Sequence, residues 1–460
     1  MDWKQSFRGK KVTLMGLGLL GRGVGDAIFL AEYGADLIVT DLRDAKTLAP
    51  SLAKLRKYRN IRYTLGRHTM DDFRNRDFIL KAAGVSLDSP YIAEAKKNNI
   101  PIEMDASLFA KLMSKGVTIV SVTGTRGKST VTAMIYEILS SSPPRLRRGV
   151  PTESRDGVVG SRKIYKGGNL VPEATLPLLK KVKVEDIVVL ELDSWQLQGF
   201  HDAKISPQVA VFTTFLDDHL TYYKGNRKRY FDDKAAIFKY QKKSDALVVG
   251  EQVAKQVAAA RPPNAPHIAR AADIPKSWKI KLLGQHNREN IACAIAAARS
   301  LSVSDSAIKK AVENFGGLPN RLEYLRTVRG IKIYNDNNAT TPDATIAALR
   351  ALGKNIILIC GGTDKGLDMS KLVEEIPKHC KVVILLRETG TEKIKNGIKE
   401  YVLSIMVKER ETLKECVQEA MKIAKKDDTV LFSPAFASFG KWFKNEYDRG
   451  EQFVNIIKGV

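Results

Sequence analysis

Residues 117–141 read VTIVSVTGTRGKSTVTAMIYEILSS, and this stretch decides the fold class. Val117–Val122 is an apolar run of strand length, and TVTAMIYEILSS has the apolar spacing of a helix. Between them lies Gly124-Thr125-Arg126-Gly127-Lys128-Ser129-Thr130. A strand that turns through glycines into a helix presents backbone N–H groups that cradle phosphates. Lys128 adds a point charge for the β- and γ-oxygens, and Ser129 or Thr130 can ligate Mg²⁺. The general phosphate-loop spacing asks for glycine at position 122, where this chain has Val122, so the loop is a shortened form. ATP or GTP binding follows.

Outward from that loop, short β-rich runs alternate with helical patterns along the chain. KVTLMG, ADLIVTD, DFILKAAG, GVTIVSVTG, DIVVLELD, QVAVFTTF, DALVVG, KIYND, NIILICGG, KVVILL and DTVLFSP read as strands. Strands that end in Gly or Asp and lead into helices predict parallel α/β sheets, with functional residues at the carboxyl ends of the strands. Breaks near residues 111 and 317 divide the chain into expected domains at 1–111, 112–316 and 317–460. With 460 residues, 44% of them hydrophobic, each domain is long enough for its own core. No window approaches the ~18 apolar residues of a membrane span. The start, MDWKQSFRGKKVTLMG, lacks the apolar stretch of a secretory leader, so a cytoplasmic protein without membrane insertion is expected. Cys293, Cys360, Cys380 and Cys416 are scattered without ligand spacing and read as buried thiols.

The net charge is +24, from 75 basic and 51 acidic residues. Such an excess suits a nucleic-acid binder, an enzyme of polyanionic small molecules, or a solvated lysine-rich surface. It is densest in Ser141–Lys166, where Pro143, Pro144 and Pro151 join seven cations against Glu153 and Asp156. That composition predicts an exposed, mobile loop.

Near the amino terminus, a strand is followed by Gly16-Leu-Gly18-Leu-Leu-Gly21, a helix, and a second strand ending at Asp41. Asp41 stands 20 residues beyond Gly21, the interval for an acid that accepts from a ribose hydroxyl. NAD(P), another nucleotide or a purely structural tight turn all fit this pattern. In the middle of the chain Glu191 ends the strand IVVLELD, where a carboxylate meets a nucleotide's Mg²⁺. Asp218 and His219 follow the strand VAVFTTF, and Lys234 sits in the helical YFDDKAAIFKY. Two nucleotide-type sites on successive domains disfavour a simple dehydrogenase and suggest a synthetase joining ATP to a nucleotide-linked substrate.

These motifs, taken in order, resemble the Mur ligase family of ATP-dependent amino-acid ligases, and within it the glutamate-adding type. The resemblance rests on GLGLLG, GTRGKST, GGN at Gly167–Asn169, ELDSWQL from Glu191, DDH ending at His219 and DDKAAIF around Lys234. It continues through GQHNREN from Gly284, GLPNRLE from Gly317, YNDNNATTPDAT from Tyr334, GGTDKG from Gly361 and SPAFASF from Ser433. It implies a Rossmann-like amino-terminal domain for a UDP moiety, a central phosphate-loop ATPase domain and a Rossmann-like carboxyl-terminal domain. The glycine turn would then hold UDP and no redox cofactor.

By the same resemblance, Leu19, Leu20, Asp41, Leu42, Arg43 and Gly84 would surround UDP. Asn169 and His219 would approach the muramoyl-alanine portion. ATP would lie among Gly124–Thr130, Asn287, Asn290, Arg321 and Asp336, with Lys128 on the γ-phosphate. Two Mg²⁺ ions would meet Ser129, Glu191, His219 and Lys234, the last carbamylated by CO₂ so that a cation becomes an anionic ligand. Thr340, Lys365, Ser438 and Phe439 would line the amino-acid pocket. Lys128, His219 and Lys234 are the expected catalytic residues. The expected reaction adds D-glutamate to UDP-MurNAc-L-Ala through an acyl phosphate, in a monomer that binds no nucleic acid.

Several positions depart from the family pattern: Arg126 in the phosphate loop, Asp193 for a common Ser, Asn338 where some members carry Lys, a longer basic loop at Ser141–Lys166, and a Ser438–Arg449 segment one residue longer, with Glu446 near a position often aromatic. The last bears on amino-acid selection. The nearest rival is another Mur-type or folylpolyglutamate-type ligase with a different amino acid. A phosphate-loop nucleic-acid binder would leave Glu191, His219 and the later motifs unexplained.

Overall fold

A computed structural model of the chain describes residues 3–144, 162–219, 222–401, 405–438 and 441–460. Its strands form three sheets. In the first, the order is Ile61–Leu65, Asp36–Asp41, Lys11–Met15, Phe78–Lys81, Ile102–Glu103, all parallel. The order reverses between Lys11–Met15 and Phe78–Lys81, and in open α/β sheets ligands bind outside the strand ends at such a reversal.

The second sheet runs His267–Ala269, Ala246–Gly250, Val209–Phe212, Thr118–Thr123, Ile187–Glu191, Ile164–Gly168, again all parallel. Thr118–Thr123 lies inside it, flanked by the strands that end at Glu191 and Phe212. The phosphate loop, Glu191 and the segment leading to His219 therefore leave one edge side by side.

The third sheet runs Glu323–Val328, Ile331–Asn335, Thr429–Phe432, Ile356–Cys360, Cys380–Leu386, Met406–Arg410. Only its first pair is antiparallel. The last strand in the chain order, Thr429–Phe432, sits between Ile331–Asn335 and Ile356–Cys360.

All eleven strands expected from the sequence are present. The six others are the two edges of each sheet. The helices expected after the two glycine turns are Arg22–Glu32 and Lys128–Ser141, and the patterns near 285–300 and 344–352 form Gln285–Ser300 and Pro342–Leu352.

The chain divides into two compact units. The first holds Met1–Trp278 and Glu289–Glu313, and the second Lys279–Arg288 and Asn314–Val460. The first unit carries two sheets because they share apolar packing: Phe7, Phe29 and Leu30 belong to the same buried cluster as Leu176, Leu190 and Phe212. Polar ties reinforce it, with Asp105 accepting from the Thr175 and Leu176 amides and Lys180 paired to Glu32. The second unit packs separate apolar layers on the two faces of its sheet. All four cysteines are buried and free, and burial raises their thiol pKa values. No helix among the described residues is long and apolar enough to cross a membrane. Of the basic loop, residues 145–161 lie outside the described residues; Arg162 pairs with Glu185 at 2.6 Å, and Lys166 lies over the Tyr136 ring.

Candidate functional site

The phosphate loop is held open by two close backbone approaches. Gly124 has φ +148°, and a Cβ there would fall 2.0 Å from Thr213 Oγ1 and 2.9 Å from Thr214 N. Gly127 caps the helix in the left-handed region at φ +85°, where a Cβ would meet Asn290 Oδ1 at 2.1 Å. The loop is stapled to the end of the neighbouring strand. Thr125 N donates to Thr214 O at 2.7 Å, Arg126 N to Thr214 Oγ1 at 2.9 Å, and Thr213 Oγ1 to Arg126 O at 2.5 Å. Its shape is therefore set in part by its bonds to that strand end.

Both expected catalytic lysines point at this loop. Lys128 Nζ donates to Gly124 O at 2.9 Å and Thr125 O at 3.1 Å; Lys234 Nζ reaches the same Gly124 O at 3.0 Å. Lys234 is only 1% exposed. Burial pulls its pKa well below the usual lysine value, and the Lys128 charge pulls it further. Burial lowers Lys128 too, against the opposing pull of Glu191. Two lysine nitrogens converging on one oxygen gather donors that suit a negatively charged group.

Glu191 is buried at its strand end, and its Oε2 has no hydrogen-bond partner among the described residues. An ionised oxygen so placed is costly unless a cation meets it. His219 lies in the left-handed region at φ +54°, an unusual backbone for a non-glycine residue. Its ring packs on Trp195 with centroids 4.8 Å apart, and burial lowers its pKa, which favours the neutral imidazole a metal would need. Beside it, burial pushes the Asp218 carboxyl up, but Arg126, 2.9 Å away, and His219 hold it below the usual carboxylate range. Among the described residues no group of three or more His, Cys, Asp or Glu is placed to hold a metal. The donor set Ser129, Glu191, His219 and Lys234 fits Mg²⁺ only if Lys234 becomes an oxygen ligand.

The amino-terminal glycine turn lies at the point where its sheet reverses order. Asp41 is buried and accepts from Gly18 N and Arg43 N, each at 2.9 Å, so its first task is to hold the turn in shape. Leu19, Leu20 and Leu42 surround it with 49%, 57% and 67% of their surface exposed, an apolar rim of the kind a planar base covers. Gly84 follows the buried Lys81, whose ammonium donates to Val85 O at 2.9 Å. Asn169 is oriented from both sides: Arg22 donates to its Oδ1 at 2.5 Å, and its Nδ2 donates to Asp193 Oδ2 at 2.8 Å. Asp193 also caps the helix Ser194–Asp202 with a capping box to Gln196. Arg22 and Lys81 were not singled out from the sequence; an isolated cation carries no spacing signal.

In the second unit, Asp336 is buried and accepts from Leu322 N and Ser433 Oγ, each at 2.9 Å. Burial lifts its pKa to about 7, against those donors and Arg321. Asn287 donates to Leu283 O at 2.7 Å within this unit, while Asn290 lies in the first unit beside Gly127. Thr340, Lys365 and Ser438 occupy loops after neighbouring strands, with Lys365 Nζ 3.5 Å from Thr340 Oγ1. Phe439 lies outside the described residues.

Comparison with known proteins gives matches in all three regions. The profile of the MurD-like amino-terminal domain of Mur ligases matches residues 10–103, that of the Mur ligase middle domain 122–272, and that of the Mur ligase glutamate ligase domain 320–436. The UDP-N-acetylmuramoylalanine--D-glutamate ligase of Roseiflexus sp. (strain RS-1) is 36% identical over 483 aligned positions, covering 98% of each chain. The enzyme of the same name from Borreliella afzelii (strain PKo) is 31% identical, covering 96% of each. Among solved structures, a MurF ligase from Thermotoga maritima in complex with ADP shares the fold, with a TM-score of 0.57 at 19% identity over 99% of this chain and 96% of that one.

Proposed function

The chain belongs to the Mur ligase family, and from that membership we propose that it joins D-glutamate to UDP-N-acetylmuramoyl-L-alanine at the expense of ATP. The observation that carries the phosphoryl-transfer half is the convergence of Lys128 and Lys234 on Gly124 O, with the unpaired Glu191 oxygen in the same sheet edge. The choice of amino acid is supported by the names of the relatives.

The acceptor carboxylate is a poor electrophile and must be activated. Its oxygen attacks the γ-phosphorus, the bond to ADP breaks, and an acyl phosphate forms. The amine of D-glutamate then attacks the acyl carbon, loses a proton, and phosphate leaves. Lys128 neutralises charge on the transferring phosphoryl group, and the loop amides of residues 124–130 hold its oxygens in line. Ser129, Glu191, His219 and carbamylated Lys234 would hold two Mg²⁺ ions, which when bound would supply neutralising charge for the phosphates. Carbamylation needs a neutral amine: the Lys234 nitrogen bonds to the carbon of CO₂ and releases a proton, and its depressed pKa favours that form. Asn290 packs against Gly127 at the head of the loop, and Asn287, Arg321 and Asp336 are assigned to ATP from the resemblance.

Leu19, Leu20 and Leu42 offer the apolar faces for uracil, with Asp41, Arg43 and Gly84 beside them, while Asn169 and His219 reach the muramoyl-alanine end. Thr340, Lys365, Ser438 and Phe439 are assigned to the amino acid. The domains are taken as 1–111, 112–316 and 317–460, in a cytoplasmic monomer. The test is phosphate release with ATP, Mg²⁺ and UDP-MurNAc-L-Ala against a panel of amino acids. D-glutamate should dominate; preference for L-alanine, L-lysine or diaminopimelate overturns the substrate while leaving the ligase chemistry standing.

A further inference from the structure

Three loops leave the carboxyl ends of neighbouring strands in the third sheet: residues 336–341 after Ile331–Asn335, 433–438 after Thr429–Phe432, and 361–366 after Ile356–Cys360. They carry Thr340, Ser438 and Lys365. A buried cation is bonded to the first two loops. Arg449, in the helix Glu446–Lys458, is 0% exposed. Its Nε donates to Asn337 Oδ1 at 2.7 Å and its Nη2 to Asn337 O at 2.8 Å, while Nη1 donates to Phe436 O at 3.3 Å and Ala437 O at 3.2 Å.

The third loop is locked to the second. Thr363 N donates to Ala437 O at 3.1 Å, and Ala437 N to Thr363 O at 3.2 Å. A Cβ on Gly362 would lie 2.5 Å from Ala437 O and 3.4 Å from Arg449 Nη1, so glycine is what lets this loop close down on the guanidinium. The cation itself is placed by helix docking. Phe453 and Ile457 are buried in the sheet's apolar layer, and a Cβ on Gly450 would meet Asn320 Oδ1 at 2.4 Å.

We propose that Arg449 is the positioning residue that sets the spacing of Thr340, Lys365 and Ser438, and so the length of acidic amino acid the site accepts. This rests on the assignment of those three residues to the amino acid. A planar fork with five N–H donors can hold three backbone carbonyls and a side-chain amide in fixed relation; a lysine offers equal charge on a flexible stem and cannot.

The experiment is steady-state kinetics of Arg449→Lys and Asn337→Ala in the full chain, with melting temperatures recorded alongside. Arg449→Lys should raise KM for D-glutamate about tenfold or more and narrow its preference over D-aspartate, with KM for ATP and for UDP-MurNAc-L-Ala within about twofold. Asn337→Ala keeps the cation and removes one acceptor, so it should raise the same KM by about threefold. Arg449→Ala should recover part of its D-glutamate affinity on addition of guanidinium. A lowered kcat with unchanged KM for D-glutamate, in proportion to lost folded protein, overturns the proposal and leaves Arg449 a purely structural group. If Arg449→Lys does not fold, an unchanged KM in Asn337→Ala overturns it equally. If the wild type prefers another amino acid, the substrate assignment has failed, and the positioning role is then decided by whether KM for that amino acid rises.

Discussion

Gly124→Ala tests whether the phosphate loop owes its shape to the neighbouring strand. Gly124 sits at φ +148°, a region that costs a side-chain-bearing residue about 1–3 kcal/mol. The new methyl carbon would also fall 2.0 Å from Thr213 Oγ1, and that hydroxyl must swing away. Doing so breaks the bond its single proton shares between Thr123 O at 3.1 Å and Arg126 O at 2.5 Å, which contributes roughly 0.5–1.5 kcal/mol. The combined penalty is about 3 kcal/mol, close to two powers of ten in an equilibrium constant. Because the loop is expected to hold ATP, the loss should fall on kcat/KM for ATP, with KM for UDP-MurNAc-L-Ala little changed. Phosphate release against ATP concentration measures it. The decisive comparison is Gly124→Ala/Thr213→Ala. Thr213→Ala alone loses that shared hydroxyl bond, but Gly124→Ala has already forfeited it. The double variant should therefore be no worse than Gly124→Ala, and better by whatever the clash contributed. Strictly additive losses would refute the idea that Thr213 is what excludes a side chain at 124.

Lys234→Ala should be nearly inactive in phosphate release and partly rescued by short-chain carboxylic acids, which would replace the carbamate oxygens; full activity without rescue would remove Lys234 from the metal site. Asp41→Ala should raise KM for UDP-MurNAc-L-Ala by about an order of magnitude, since Gly18 N and Arg43 N lose their acceptor, and leave KM for ATP unchanged. Equal effects on both nucleotides would show that the damage is general. Asp336 has its folded-state pKa raised from 3.8 to about 7 by burial, so its contribution to stability is full below about pH 4 and is lost as pH rises toward 7. Melting temperature against pH should show that slope in the wild type and not in Asp336→Asn; parallel curves would place the titration elsewhere.

The interior of each sheet was legible in the sequence and the margins were not. Interior strands such as Ile356–Cys360 and Ile187–Glu191 are buried at every position, and burial on both faces demands continuous apolar runs. The unexpected strands are all edges, covered less completely and therefore free to be polar or short: Met406–Arg410 reads MVKER, and Ile102–Glu103 has two residues. The site divides in the same way. Glu191 and His219 stand where strand ends announce the edge at which chemistry gathers, whereas Lys234, on the helix Arg227–Lys239, is marked by the resemblance alone. Arg22, Lys81 and Arg449 act through backbone carbonyls and amides that only the folded chain brings to them, and nothing in their neighbours' identities foretells it.

The order of the third sheet has a consequence for the chain as it emerges from the ribosome. Thr429–Phe432 is made last among the strands, yet it separates Ile331–Asn335 from Ile356–Cys360 and pairs with both. Until it is synthesised, the two halves of that sheet have no shared partner, and about a hundred residues stand between the first half and the strand that completes it. Each half exposes an apolar strand whose backbone groups are unpaired on one side, the condition under which nascent chains recruit one another. The first unit contains both of its sheets within residues that precede this point, so it can fold first and carry the waiting halves. Ribosome-stalled chains ending before residue 429 should accordingly be protease-resistant over the first unit and sensitive, or chaperone-bound, over the second.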